Sequence, residues 1–208
     1  MEMGFIESHR DVMVMLTCVL CGMIEAVQTE AAASVELLKI SLPTVPETVP
    51  IIHFAEALDM IYRETGEDTR SEPDLVPGHE RWLGEWAAQE YSSDFLFVEG
   101  YPMVKRPFYT HPDPARPAYS NSFDLLFRGV ELVTGGQRLH LYADYLDALD
   151  KRGLSPESMT GYLEAFQYGL PPHGGFAIGL KRWVARLAEL PNVREAALFP
   201  RDLTRLTP

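Results

Sequence analysis

Cysteine is scarce: the 208 residues hold two, Cys18 and Cys21, three positions apart, and no second pair completes a four-ligand zinc site. Two are also too few for a disulfide scaffold, and a chain of this length with 46% hydrophobic residues buries a core without one. A reducing, cytoplasmic compartment is expected. Basic charge is short as well, with 18 Lys and Arg against 30 Asp and Glu and a formal net charge of −12. A protein that coats nucleic acid through its own field needs a basic face, so that class is excluded, although a local basic groove stays open. Neither G-x-x-x-x-G-K-[ST] nor G-x-G-x-x-G occurs, which removes the two common phosphate-loop fingerprints, and no internal repeat is visible.

The one long apolar run, residues 12–24, is broken only by Thr17 and Gly22 and is too short for a bilayer, which takes about 20 residues. Glu2, Glu7, His9, Arg10 and Asp11 precede it, in place of the basic leader of a secretory signal. The run predicts a buried or partner-covered helix and no membrane partner, started by the Ser8 and Asp11 capping pair and ending near Thr29. Cys18 and Cys21 fall in its middle, where core packing is expected; a redox pair belongs at a helix start after a strand.

A small-residue stretch and a loop follow, and three prolines within residues 41–50 make an extended connector, after which Ile51, Ile52 and His53 can pair briefly. Phe54, Ala57, Leu58 and Ile61 repeat at helical spacing with Gly66 as the stop, and a second helix is expected over 79–91. Residues 94–99 read as a buried strand bounded by Gly100 and Pro102. The long loop 101–122 carries too many aromatics for a disordered segment and is the first functional candidate. Two short strands, 122–127 and 130–134, meet at a tight bend over Arg128 and Gly129, with Gly135 and Gly136 closing the second. Helices are expected over 142–151 and 155–168, then a glycine-lined strand runs directly into a helix from Gly174 onward. Mixed elements without regular βαβ alternation give an α+β domain on an antiparallel sheet.

On those paired strands Asp124, Glu131, Thr134 and Arg138 can converge on one small site, two carboxylates beside a hydroxyl and a guanidinium. Asp124 and Glu131 can share a divalent cation such as magnesium, and arginine grips a carboxylate through two parallel hydrogen bonds. The competing reading is a strand pair with solvated charges. Gly129, Gly135 and Gly136 weaken strands and point to close approach of backbone or ligand. A second constellation, Gly174, Gly175, Gly179 and Arg182, surrounds a strand-to-helix junction where free N–H groups suit a phosphate. His111 and His173 sit in loops, where solvation is their ordinary fate.

The stretches RPFYTHPDP, YSNSFDLLFRGVELVTGGQRLH, YGLPPHGGFAIGLKRW and LFPRDLTRL, in this order, resemble the class II aspartyl-tRNA synthetases, in particular their archaeal-type, nondiscriminating branch in the aspartyl/asparaginyl subgroup. The resemblance implies a partial class II core, an antiparallel β-sheet flanked by helices, that activates aspartate with ATP and Mg2+ and passes the aspartyl group to tRNA. It assigns Glu131 to magnesium and ATP, Asp124 as a second acid on the metal, and Thr134, where the family often has serine, to metal and aspartate. Arg138 becomes the clamp for the aspartate side chain, and Gly179, Leu180, Lys181 and Arg182 the ATP-contacting part of the third class-defining motif, with Arg182 and Glu131 catalytic. Lys181 stands where glutamate is usual, and either disturbs ATP geometry or points to solvent.

The resemblance also implies that residues 1–208 form a single partial catalytic domain in which the first and second motifs and the anticodon-binding domain are absent. Two sheet strands would then be missing, leaving an open edge that a second copy or another chain covers. Two other functions remain open: a catalytically inactive chain acting through association, and an aspartate-amidating, asparagine-forming relative.

Overall fold

A computed structural model describes residues 1–206; residues 207 and 208, inside the expected domain, lie outside the described residues. Six strands form one sheet: β1 (Glu2–Gly4), β2 (Ile51–His53), β3 (Phe95–Glu99), β4 (Ser122–Phe127), β5 (Val130–Arg138) and β6 (His173–Ile178). Among the described residues seven α-helices surround it: α1 (His9–Glu30), α2 (Ala32–Leu38), α3 (Phe54–Thr65), α4 (Pro77–Tyr91), α5 (Tyr142–Asp150), α6 (Thr160–Gln167) and α7 (Leu180–Leu187). The strand order is β1-β6-β5-β4-β3-β2, and every pair is antiparallel except β2 with β3. That exception follows from the connection: β2 reaches β3 through α3 and α4, and a helical crossover returns the chain parallel. The expected α+β class on an antiparallel sheet stands.

One face of the sheet packs against α1 and α7, with Val12, Leu16, Leu20, Phe97, Phe123, Val133, Phe176 and Trp183 in a single apolar cluster. The opposite face is covered by α3 and α4 at the β2 end, where Leu58, Ile61 and Leu83 meet Leu96, Val98 and Leu126. A separate cluster of Tyr145, Leu149, Leu163 and Phe166 holds α5 to α6. Over β5, β6 and β1 that second face opens into a cleft of about 420 Å³.

Several expectations are corrected. Cys18 and Cys21 are exposed, not packed. The helix turns Val12, Met13, Leu16 and Leu20 inward, and residue 18 lies about 200° round from residue 16, on the far side. α1 is also 22 residues long, so by length and composition it is able to cross a membrane, and the short run is not what argues against a span. One face of it, Val12, Met13, Leu16 and Leu20, is seated in the core, and a single helix of this kind is weak evidence of a span. The stretch after α1 is a second helix, because Ala, Glu and Leu are good helix formers, and it stops at Lys39 in the left-handed region. β1 escaped notice because three residues carry no period. Gly135 and Gly136 do not close β5 but continue it to Arg138. The segment 155–168 is split, with Ser155 capping a 3-10 turn over Pro156–Met159 before α6 begins.

α1 enters through the expected capping box, with Ser8 accepting from Arg10 N–H and Asp11 accepting from Ser8 N–H. His9 Nε2 and Arg10 Nη2 then tie its start to Glu99 of β3 at 2.9 and 2.6 Å. Burial alone pushes the Glu99 carboxyl up; the hydrogen bonds and charges of His9 and Arg10 outweigh it and hold the group below its ordinary range.

The β4–β5 bend has positive φ at both Arg128 and Gly129, the two-residue turn whose twist matches paired strands. Gly129 presses on α4, where a Cβ on Gly84 would lie 2.5 Å from Gly129 Cα. Alanine at 84 would gain about 1 kcal/mol of helix propensity, against about 1–3 kcal/mol for overpacking between two backbones that cannot yield. Gly84→Ala therefore lowers the urea midpoint; a raised midpoint would contradict this packing.

Candidate functional site

The floor of the cleft is set by strand register. Ser122 pairs with Gly136 and Asp124 with Thr134 between β4 and β5, while Gly136 pairs with Gly175 and Thr134 with Ala177 between β5 and β6. Paired residues share a face, so Asp124, Ser122 and Thr134 stand together, opposite the α1 core. Gly136 and Gly175 leave the floor bare: a Cβ on Gly136 would come within 2.8 Å of Ser122, and one on Gly175 within 2.6 Å of Glu2 Cδ.

Glu131 reaches the same face because the ladder slips. Leu125 pairs with Val133 but Leu126 with Glu131, so Leu132 is an extra residue whose side chain drops into the α1 core. In a regular strand residues three apart point to opposite faces. With Leu132 inserted, Thr134 Oγ1 donates to Glu131 Oε1 at 3.2 Å.

Two elements then pin Glu131. Arg182 of α7 donates through Nη1 to its backbone oxygen at 2.7 Å and to Oε1 at 2.9 Å. From the other side Glu80 of α4 accepts the Glu131 N–H at 2.9 Å. Burial raises the Glu80 carboxyl and the charge of Glu131 adds to the rise, with the N–H bond offsetting only part.

Asp124 is different. Its side chain is 7% exposed, and Arg106 Nη2 stands 3.1 Å from its Oδ1. The angles leave both of those atoms without a hydrogen bond, so the pair is one of charge and distance. The guanidinium also lies 4.0 Å over the Tyr101 ring. Burial pushes the Asp124 carboxyl up, Arg106 opposes it and Glu131 adds to it. The two acids expected to share a metal thus differ, Asp124 being enclosed and Glu131 half-buried.

At the far end of β5, Arg138 spreads its guanidinium along a carboxylate. Nε donates to Glu2 Oε2 at 3.0 Å and Nη2 donates to Glu2 Oε1, while Tyr109 stacks 4.5 Å beneath. The fork is therefore built for a carboxylate, and in this chain Glu2 fills it.

Along the rim, Gly179 caps α7 and gives its N–H to Leu132 O at 3.0 Å. A Cβ there would make only ordinary contacts, so packing does not enforce the glycine. Leu180 is 69% exposed and Lys181 faces solvent, and among the described residues none pairs with Lys181. Of the residues singled out in the sequence, Asp124, Glu131, Thr134, Arg138 and Arg182 come together here. Gly129, Gly135 and Gly174 serve backbone packing. His173 belongs to β6 and its ring faces Phe166, while His111 stacks on His140 beside a different cavity of about 730 Å³. Glu2, Glu80, Tyr101, Arg106 and Tyr109 were missed. Three of these lie in the aromatic-rich loop already marked as a candidate; Glu2 and Glu80 arrive from remote elements and carry no local signal.

The order of these parts along the chain matches one family profile, described as tRNA synthetases class II (D, K and N), across residues 1–203. The chain belongs to this family. It is 45% identical over 207 residues to an aspartate–tRNA(Asp/Asn) ligase of Thermus thermophilus and 40% identical over 208 residues to one of Aeropyrum pernix. Those alignments cover all of this chain but 48% and 47% of the relatives, so the chain spans about half the length of the curated relatives it matches. Among solved structures, an aspartyl-tRNA synthetase of Entamoeba histolytica superposes with a TM-score of 0.90 at 30% identity, covering the whole chain and 43% of that protein. The asparaginyl-tRNA synthetase of Pyrococcus horikoshii with asparaginyl-adenylate gives 0.88 at 30% identity, with 47% of that chain covered. The six-stranded sheet is thus the sheet of a class II synthetase core.

Glu2 occupies the Arg138 fork, so an external carboxylate would have to displace it. Glu2→Gln should cost less than about 1 kcal/mol of stability, since the pair is half exposed, and should tighten binding of succinate several-fold in calorimetry. Arg138→Gln should abolish that binding. Equal succinate affinity in all three proteins would contradict the clamp.

Proposed function

We propose that this chain is the carboxy-terminal portion of the catalytic domain of an aspartate–tRNA ligase and carries its aspartate and ATP sites. The observation that carries this reading is the carboxylate held in the Arg138 fork at the edge of a glycine-floored cleft, beside the Glu131, Thr134 and Arg182 cluster. Aspartate is the small substrate whose side chain offers such a carboxylate, and Arg138 on its Tyr109 support orients it. Arg182 and the start of α7, Gly179, Leu180 and Lys181, take the ATP side, with Lys181 left to solvent contact.

The family's magnesium fits the donor set. Asp124, Glu131 and Thr134 place hard oxygens on one face, and Asp124 Oδ1 is buried without a hydrogen bond. When bound, the ion supplies charge neutralisation to the phosphates. Glu80 holds the Glu131 backbone, and Arg182 holds its carboxylate against the junction of β5 and α7. No protein nucleophile is required, because ATP brings the leaving group and the protein's part is positioning and electrostatics.

The chain spans about half the length of the relatives it matches, and each electrostatic contact to the reacting phosphate that this half does not supply is worth about 10²- to 10³-fold in rate. A tRNA partner, as in the relatives' names, and a cytoplasmic location are part of this reading. Association with a second copy or another chain is favoured by Phe5, Leu37 and Leu38, which are 90%, 81% and 62% exposed.

Calorimetric titration with ATP, magnesium and aspartate tests the reading. One aspartate should bind per chain, at least about 30-fold more weakly in Arg138→Ala, the effect of stranding a charge-assisted pair. Binding indifferent to Arg138, or none in a folded sample, would overturn it.

A further inference from the structure

The cleft holds one charged side chain that the aspartate and ATP sites leave unassigned. The Arg106 side chain is 10% exposed, and its Nη2 stands 3.1 Å from Asp124 Oδ1. Opposite charges enclosed at that distance ordinarily share a directional hydrogen bond, yet Arg106 Nη2, Arg106 Nε and Asp124 Oδ1 all lack one. The guanidinium is placed by other means. It lies 4.0 Å over the Tyr101 ring, and Arg152 Nη2 donates to the Arg106 backbone oxygen at 2.5 Å, which ties down the loop on which it stands. The pair is held by charge, with donors of one partner and an oxygen of the other left over for further ligands.

The neighbouring acid is also matched within the chain. Glu131 Oε1 accepts from Arg182 Nη1 at 2.9 Å and from Thr134 Oγ1 at 3.2 Å. With Glu80 alongside, three carboxylates face two guanidinium groups, which leaves one net negative charge for an ion that carries two positive ones. Magnesium gives up water reluctantly for so little charge. Phosphate oxygens change the balance, because they accept the arginine N–H groups and leave the carboxylates to the cation.

We propose that Arg106 is a positioning residue that acts on the metal through Asp124: it holds this carboxylate as an internal counter-ion, keeps a divalent cation out while no phosphate is bound, and yields the carboxylate when nucleotide phosphates accept its N–H groups. Metal and nucleotide therefore enter together, and Arg106 is the charge that couples them. The inference rests on the reading of Asp124, Glu131 and Thr134 as the magnesium donors. Because the pairing is one of charge and distance, the point charge of a lysine serves in it and an apolar side chain of similar length does not.

The test is titration of the full chain with Mn2+ in place of magnesium, without nucleotide, read by electron paramagnetic resonance of the free ion. The parent chain should bind Mn2+ weakly. Arg106→Met should bind it at least about 10-fold more tightly, a positive charge beside a dication being worth at least that at close range. Arg106→Lys should match the parent, and the gain should vanish when Arg106→Met is combined with Asp124→Asn. Tighter binding is not a result that a merely structural role, or a misfolded variant, would produce. With ATP added, the parent should enhance water-proton relaxation beyond Mn2+ and ATP alone. Absence of that enhancement removes the magnesium reading of the site, and this inference with it. If the enhancement is present, the inference alone is overturned by an Arg106→Met variant that binds Mn2+ no more tightly than the parent, by an Arg106→Lys variant that binds it as tightly as Arg106→Met, or by a gain that survives Asp124→Asn.

Discussion

The pairing of β4 with β5 slips by one residue at Leu132, and the arrangement of the cleft depends on that slip. Before the bulge, Glu131 shares the face of Leu126; after it, Thr134 shares the face of Asp124, and the inserted residue makes these one face. Leu132 itself is anchored in the α1 core, and its carbonyl receives the N–H of Gly179. The bulge is therefore locked from below by packing and from the side by the entry to α7. The same hydrogen bond fixes where α7 starts, and with it the reach of Arg182 to Glu131. If the strands paired straight through with no slip, Glu131 would stand opposite Phe127 and turn into the apolar core, where an unpaired carboxylate is strongly disfavoured.

Charge on this face is arranged pair by pair. The chain as a whole is acidic, at −12, yet the cleft gathers Arg106, Arg138 and Arg182. Each is matched by one carboxylate of the chain: Asp124, Glu2 and Glu131. The most enclosed of these carboxyls, Asp124, is shifted upward despite its arginine, while Glu131 and Glu2 are open enough to exchange partners. Exchange of partners is what binding anionic ligands demands, since a guanidinium already holding a carboxylate is organised for another. The cleft is therefore not a net basic groove: its three guanidinium groups are each offset by a carboxylate of the chain.

Much of this was legible in the sequence, for physical reasons that differ by element. The α3 stripe of Phe54, Ala57, Leu58 and Ile61 and the bend at Arg128 and Gly129 announce themselves, because helical period and positive-φ turns constrain residue type. Asp124, Glu131, Thr134 and Arg138 could be grouped, but strict alternation argues against that grouping, and only the bulge reconciles it. Glu2 and Glu80 were invisible because they lie 136 and 51 residues from their partners. The cysteines were misplaced because α1 is apolar on its exposed side as well, which blurs the contrast that normally marks the buried face.

The central claim is that one bulged sheet face holds a carboxylate station and a phosphate station side by side. It is tested most directly by NMR of the arginine Nε–Hε signals in the 15N-labelled chain during separate titrations with aspartate and with ATP and magnesium. The account predicts that aspartate moves the Arg138 signal and leaves Arg182 in place, that ATP with magnesium does the reverse, and that both shift when all three are present. An Arg138 signal that stays fixed under aspartate, or that follows ATP alone, would contradict it.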